Sequence, residues 1–277
     1  MTDAADTSAE SAGSPDFVGR LSPSRASDFM TCPLLYRFRT IDRLPEPASK
    51  AMAKGTLVHL VLERLFDAHH DERTLDHAHG LVAGAWDELA DRPEYAEILP
   101  TLEVDDWLRS TQDLITRYFQ MEDPRAVSPT HREAPVEFQV ADDLVLRGLV
   151  DRIDVHPNGD TVIVDYKTGK APSPQYEQKA MFQMRFYALV LWRTTGVLPM
   201  SLRLMYLADG QSLVDTPNAD DLLATQRKVL ALWEAIRSAH AKEDFRPRPS
   251  ALCKWCNFAH LCPSHDGTPP PFPQPRT

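Results

Sequence analysis

The sequence predicts an α/β fold, with a mixed central sheet flanked by helices, a helical N-terminal part and a C-terminal cysteine-cluster module. Three observations point there. From Ser22 to about residue 121, apolar residues recur mostly at helical spacing. Between about 136 and 167 the pattern changes to alternation and short apolar runs, interrupted by a strong turn. A helical stretch then leads to another apolar strand, the order expected of a right-handed crossover onto the same sheet.

The elements follow in order. Met1 to Asp16 has four acidic residues, no Lys or Arg and no apolar stretch, so residues 1–19 read as a disordered tail and not a secretory signal. Ser22-Pro23 is an N-cap followed by proline at the first helical position, opening a helix through about Arg39. Helices follow over about Ala48–His69, 75–90 and 102–121. Val136, Phe138 and Val140 alternate with polar residues, as in a strand with one wet face. Leu144–Val155 is a second strand, Pro157-Asn158-Gly159-Asp160 a turn, and Thr161–Lys167 a third strand, apolar enough to be central. Gln175–Thr194 is helical and stops at Gly196, Ser201–Leu207 returns as a strand, and Ala219–Ala241 is the last helix. The folded unit is expected over 20–262, with a Pro-rich, disordered end from Pro263 to Thr277.

The chain has 277 residues, 43% of them hydrophobic and 25% charged, as in an ordinary soluble protein. No apolar run approaches the roughly 20 residues of a membrane span, so a cytoplasmic protein with no membrane partner is expected. The net charge of −10 argues against a generic nucleic-acid binder. The charge is uneven, however. Residues 20–54 carry seven Arg/Lys against three acids (+4), whereas 87–106 carry eight acids against Arg92 alone (−7). A basic face opposite an acidic one can still hold a phosphate backbone locally.

Chemistry concentrates in Gly148-Leu149-Val150-Asp151-Arg152-Ile153-Asp154 and Asp165-Tyr166-Lys167-Thr168-Gly169. A hairpin folded at 157–160 brings Asp151 and Asp165 opposite each other on neighbouring strands, within reach of one metal ion. Lys167, two residues beyond Asp165, points to the same sheet face. Two hard oxygen ligands and one cation focused on a point are what magnesium- or manganese-assisted cleavage of a phosphodiester requires. His59 lies in Gly55-Thr56-Leu57-Val58-His59, with Glu63 one helical turn later. Gln183 and Tyr187, four apart, share a face of the crossover helix.

Cys253, Cys256 and Cys262 form a compact cluster, and Cys32 is the remaining cysteine. Four cysteines without a secretory signal point to a metal site and not to disulfides. Four thiolates suit tetrahedral Zn²⁺ or a [4Fe–4S] cluster, and spacing alone separates neither.

With these pieces in this order, the sequence resembles the RecB-type nucleases of the PD-(D/E)XK superfamily, in particular the iron–sulfur exonucleases of CRISPR adaptation and bacterial end resection. The matching stretches are Gly55–Glu63, Gly148–Asp154, Asp165–Gly169, and Gln183 with Tyr187. The resemblance implies a restriction-endonuclease-like sheet. It implies that His59, Asp151, Asp165 and Tyr166 hold a catalytic Mg²⁺ or Mn²⁺, and that Lys167 is the catalytic cation. Gln183 and Tyr187 would contact DNA near the scissile phosphate. It also favours [4Fe–4S] over zinc for Cys32, Cys253, Cys256 and Cys262, since that branch has one early and three late cysteines. The expected activity is that of a metal-dependent DNA exonuclease, on single strands or duplex ends, in repair or recombination. The competing expectation is a non-catalytic DNA-end-binding or adaptor subunit. In either case a helicase or other repair protein is a plausible partner, because the chain carries no G-x-x-x-x-G-K-[ST] loop of its own.

Overall fold

A computed structural model describes residues 19–273. The acidic N-terminal segment therefore lies outside the described residues, except Gly19, which opens a strand. Strand β1 (Gly19–Leu21) leads into α1 (Pro23–Thr31), where the Ser22 hydroxyl accepts the Arg25 N–H. The helix expected to reach Arg39 stops at Thr31. Pro33 biases the residue before it away from helix, and Cys32 is extended at φ −160°, ψ 114°. The chain resumes as α2 (Pro33–Tyr36) and a π-turn over Arg37–Ile41. The break leaves Cys32 at the junction of two short helices.

Helices α3 (Lys50–Leu65), α4 (Leu75–Ala90) and α5 (Val104–Met121) form one layer, and the Ser49 and Thr74 side chains cap the first two. Their apolar stripes, among them Leu57, Val61, Val82 and Ile115, meet Val162, Val164 and Tyr166 of the sheet. The sheet has six strands: β1, β2 (His131–Ala141), β3 (Leu144–Val155), β4 (Thr161–Lys167), β5 (Ser201–Tyr206) and β6 (Gln211–Asp215). Its order is β1-β3-β4-β5-β6, with β2 also paired to β3. The β1–β3 and β4–β5 pairs are parallel and the others antiparallel, so the sheet is mixed as expected. Between β4 and β5 runs α6 (Glu177–Thr195), ended by Gly196 at φ 77°, a left-handed cap that glycine adopts freely. With α7 (Ala219–Ala241) it covers the second face, where Phe186, Leu189 and Val190 pack with Leu146, Val150 and Ile163.

Two strands escaped the sequence reading. β1 is three residues long, and β6 is mostly exposed, so neither shows a usable apolar pattern. The Pro-rich end also differs from expectation. As far as the described residues reach it is packed: Phe272 stacks on Phe245 at 6.1 Å between centroids, and the Arg37 guanidinium lies over it. Arg37 also donates to the Pro270 carbonyl at 2.5 Å. Aromatic and cationic contacts hold this segment where composition alone predicted a free tail.

One irregularity in the sheet bears on function. Leu144, Leu146 and Val150 face α6, but past Val150 the parity changes: Ile153 faces α6 while Arg152 turns to the other layer. Facing that point on β2 is Glu133, between the registered pairs Arg132–Arg152 and Ala134–Val150, with φ 43°. A left-handed conformation costs a non-glycine residue roughly 1–2 kcal/mol. Asp151 lies where the parity changes.

Gly148 faces Tyr187 so closely that a Cβ would fall 2.4 Å from Cε1 of the ring, whereas one at Gly84 in α4 would meet nothing within 4 Å. Gly148→Ala should cost about 1–3 kcal/mol in urea or thermal unfolding. Gly84→Ala, its control, should be neutral or stabilising by up to about 1 kcal/mol.

Candidate active site

The β3–β4 hairpin pairs Arg152 with Val164 and Ile153 with Ile163, and one step further brings Asp151 level with Asp165. There the ladder gives way to a side chain: the Tyr166 N–H donates to Asp151 Oδ2 at 2.7 Å. Asp165 and Lys167 share a face, as the D-x-K spacing requires, with Lys167 Nζ 2.5 Å from Asp165 Oδ2. The intervening Tyr166 ring points the other way and is buried among Tyr118 and Arg152. Tyr166 can therefore offer this site only its carbonyl oxygen, which lies 3.0 Å from His59 Nε2.

From α3, the other ring nitrogen of His59, Nδ1, lies 3.6 Å from both Glu133 Oε1 and Asp151 Oδ1. The potential ligand atoms of His59, Glu133 and Asp151 all lie within 4.8 Å of one another. A cleft of about 380 Å³, lined by Gly55, Thr56, His59, Glu63, Arg92 and Glu133 among others, opens onto them. Glu133 is the acidic member that sequence reasoning missed. A β2–β3 hairpin centred on Asp142 places 133 opposite 151, but the alternating pattern used to recognise β2 began only at Val136.

Gln183 ties the group to α6. Its Nε2 donates to Asp165 Oδ1 at 2.7 Å and to the Tyr187 hydroxyl at 3.0 Å, and its Oε1 accepts from Lys167 Nζ at 3.1 Å. Tyr187 is buried against Gly148. The structure thus brings together His59, Asp151, Asp165, Lys167, Gln183, Tyr187 and the Tyr166 carbonyl, with Glu133 added. Glu63, one turn on from His59, lines the cleft, while Glu133 and Asp151 take the places beside the ring.

Charge in this group is poorly balanced without a cation. Burial, and next the Asp165 carboxylate, push Asp151 up to about 7. Burial alone would depress His59, but the nearby Glu133 carboxylate and the Asp151 charge outweigh it and hold the imidazole at about 9. Asp165 Oδ2 is buried and accepts no hydrogen bond. Its short approach to Lys167 Nζ is a contact of charges whose angles do not suit a hydrogen bond. Clustered hard oxygens, one without a donor, and an imidazole fit a divalent cation.

The four cysteines meet elsewhere. Cys32, Cys253, Cys256 and Cys262 are free thiols lining one cavity of about 60 Å³, walled by Leu34, Phe38 and other apolar groups. The Arg248 N–H donates to Cys32 Sγ and the Ser250 N–H to Cys253 Sγ, both at 3.3 Å. Burial, and then the neighbouring thiols, raise Cys256. A metal centre that takes thiolates would relieve that repulsion, and N–H donors to sulfur are the support such ligands use.

The model of the PD-(D/E)XK nuclease superfamily matches residues 20–263. The chain belongs to that superfamily. Among proteins, it is 24% identical to the Gene 69 protein of Mycobacterium phage D29, over 87% of this chain and 96% of that one. Among solved structures, it resembles a candidate exonuclease from Eubacterium rectale, with a TM-score of 0.55, 14% identity, and coverage of 85% of this chain and 86% of that one. At that identity the likeness speaks for the fold alone, a restriction-endonuclease-like mixed sheet between helices. No helix among the described residues is long and apolar enough to cross a membrane.

The raised proton affinities give the metal-free nuclease a defined response to pH. His59, about 9 against an ordinary 6.5, contributes stability that is complete below 6.5 and lost as pH rises through 9. Asp151, about 7 against 3.8, keeps a proton the unfolded chain releases, so stability also falls as pH rises from about 4 to 7. In EDTA, Tm should fall between pH 6 and pH 9. Mn²⁺ should raise Tm more at pH 8 than at pH 6, where protons compete for Asp151. A flat Tm profile in EDTA, or equal Mn²⁺ shifts at both pH values, would contradict this account of the site.

Proposed function

We propose that this nuclease is a Mg²⁺- or Mn²⁺-dependent deoxyribonuclease, acting as an exonuclease in DNA repair or recombination. The observation that carries the reading is Asp151 level with Asp165, whose Oδ2 is buried and lacks a hydrogen-bond donor, with Lys167 beside Asp165 on its face. Asp151, Asp165, His59 and the Tyr166 carbonyl would hold the cation, with Glu133 beside them. A cation bound there supplies Lewis acidity and a more acidic water. Lys167 offsets charge that builds on the phosphate during attack. Gln183, bonded to both Asp165 and Lys167, keeps the carboxylate and ammonium in register, and Tyr187 holds that amide from behind. DNA reaches them through the cleft beside His59. The acidic balance of the chain fits an enzyme that depends on a partner, such as a helicase, to present strands.

End-labelled single- and double-stranded DNA, with and without Mn²⁺, tests the reading, and closed circular DNA tests the need for an end. Asp165→Ala and Lys167→Ala should each reduce cleavage by about 10²-fold or more with the fold intact by circular dichroism. Wild-type rates in either variant would remove the site assignment.

The cysteine quartet, in this reading, carries a [4Fe–4S] cluster in place of zinc. The support is four free thiols around one small cavity, two of them accepting backbone N–H bonds. Anaerobically purified protein should be brown and contain iron, and Cys256→Ser should lose both. Stoichiometric zinc in colourless protein would overturn the assignment.

A further inference from the structure

The cations of residues 20–54 divide into two kinds. Arg37 is buried against Asp42, and Arg39 is clamped between Asp28 and Glu46. Arg20, Arg25 and Arg43 pair with no carboxylate among the described residues; Arg25 donates only to the Arg20 carbonyl. These three line a cavity of about 450 Å³ with Tyr36, Thr40 and Arg237, between the start of α1, the π-turn and the end of α7. Arg237 is already engaged by Asp143 and Glu234.

Like charge is crowded here. Arg25 is pushed below its ordinary value by burial, then by Arg147 and, more weakly, Arg43. Arg43 follows the π-turn at φ 51°, a left-handed position where glycine would be easier. The chain thus accepts backbone strain and mutual repulsion to gather guanidinium groups, on a protein whose net charge is −10. Planar guanidinium forks are matched to one ligand chemistry above others, the bidentate oxygens of phosphate. The cavity is separate from the carboxylate site. Gly19 on its wall pairs with Leu144, at the opposite end of β3 from Asp151, roughly 20 Å along the strand.

We propose that the Arg20–Arg25–Arg43 cavity is a second binding site, for a phosphate-bearing anion. Two sources offer that chemistry: a free polyphosphate or nucleotide, and the DNA backbone some six nucleotides from the cleavage point at ~3.4 Å each. The backbone source rests on the nuclease reading above, whereas the free source does not.

The test compares full-length protein with Arg20→Gln/Arg43→Gln, both exposed side chains whose loss leaves the fold in place by Tm. Binding is measured in EDTA for pyrophosphate, for ATP, and for labelled single strands of about 2 and about 20 nucleotides, the first too short to span the two sites even when extended. A free-ligand site predicts a loss of tenfold or more for pyrophosphate or ATP. A backbone site predicts that loss for the long strand alone, with a salt dependence shallower by about 1.5 in log–log slope. Unchanged affinity for all four probes would overturn the proposal. Since binding is read without metal, that result leaves the nuclease reading standing. Absence of metal-dependent cleavage, conversely, leaves the pyrophosphate and ATP measurements decisive for this cavity.

Discussion

Two carboxylates held level on adjacent strands, with little access to water, set the terms for the structure around them. The side chains of Asp151 and Asp165 are 10% and 1% exposed, so their mutual repulsion is poorly screened. Every nearby group answers that charge. Lys167 lies against one carboxylate, the Tyr166 N–H donates to the other, and His59 keeps its proton between Asp151 and Glu133. These responses are incomplete, because Asp165 Oδ2 still lacks a donor. A site left short of positive charge in this way fits the cation of the proposed function, and Glu133 beside it is held at φ 43°.

The opposite face of the same two strands explains how the arrangement is held. Arg152 is 1% exposed and grips Glu122 with both terminal nitrogens, at 2.6 and 2.9 Å. It also donates to the Tyr166 hydroxyl at 2.7 Å and pairs with Asp154 at 3.1 Å. Tyr118 and Arg203 complete the shell around Glu122. Burial would raise Glu122, but the Arg152 bonds and charge hold it below its usual range. Desolvation consumes much of what such a network gains, so its main effect is geometric. Tyr166 is fixed by its ring on one face, while its N–H and carbonyl, in the plane of the sheet, reach Asp151 and His59. In the run Asp151-Arg152-Ile153-Asp154, the first acid belongs to the site and the second to its support.

This division also shows what was legible in the sequence. The strand pair, its turn and the D-x-K parity could be read because side-chain alternation and turn chemistry are local properties. Gln183 and Tyr187 were legible as neighbours on a helix, but not as a brace for Asp165 and Lys167, which depends on how α6 crosses the sheet. Glu133 was missed because its place depends on a long-range register and a left-handed residue, neither of which leaves an apolar signature. The pairing of Asp154 with Arg152 on the other layer depends on the parity change in β3, which no local pattern announces. The Pro-rich end was misread for a related reason: composition does not report that Phe272 finds Phe245 and Arg37.

Those last contacts change how the cysteine module should be understood. A link between residue 32 and residues 253–262 closes a loop of more than 200 residues, but loop-closure entropy grows only as the logarithm of length. The junction is also fastened without any metal. Arg248 donates to the Met30 carbonyl at 2.6 Å, Asn257 to Glu46 at 2.7 Å, and Arg37 to the Pro270 carbonyl. Phe258 is buried against Phe38. These contacts join the C-terminal segment to α1, the π-turn and the loop that follows it on their own account. A centre bound by the four thiols would therefore act locally, setting how α1, broken at Cys32-Pro33, meets the last turns of the chain. The junction nevertheless shares its packing with the α6-facing side of the sheet, since Phe29, Phe38 and Phe258 belong to the same buried cluster as Leu146, Val150 and Ile163.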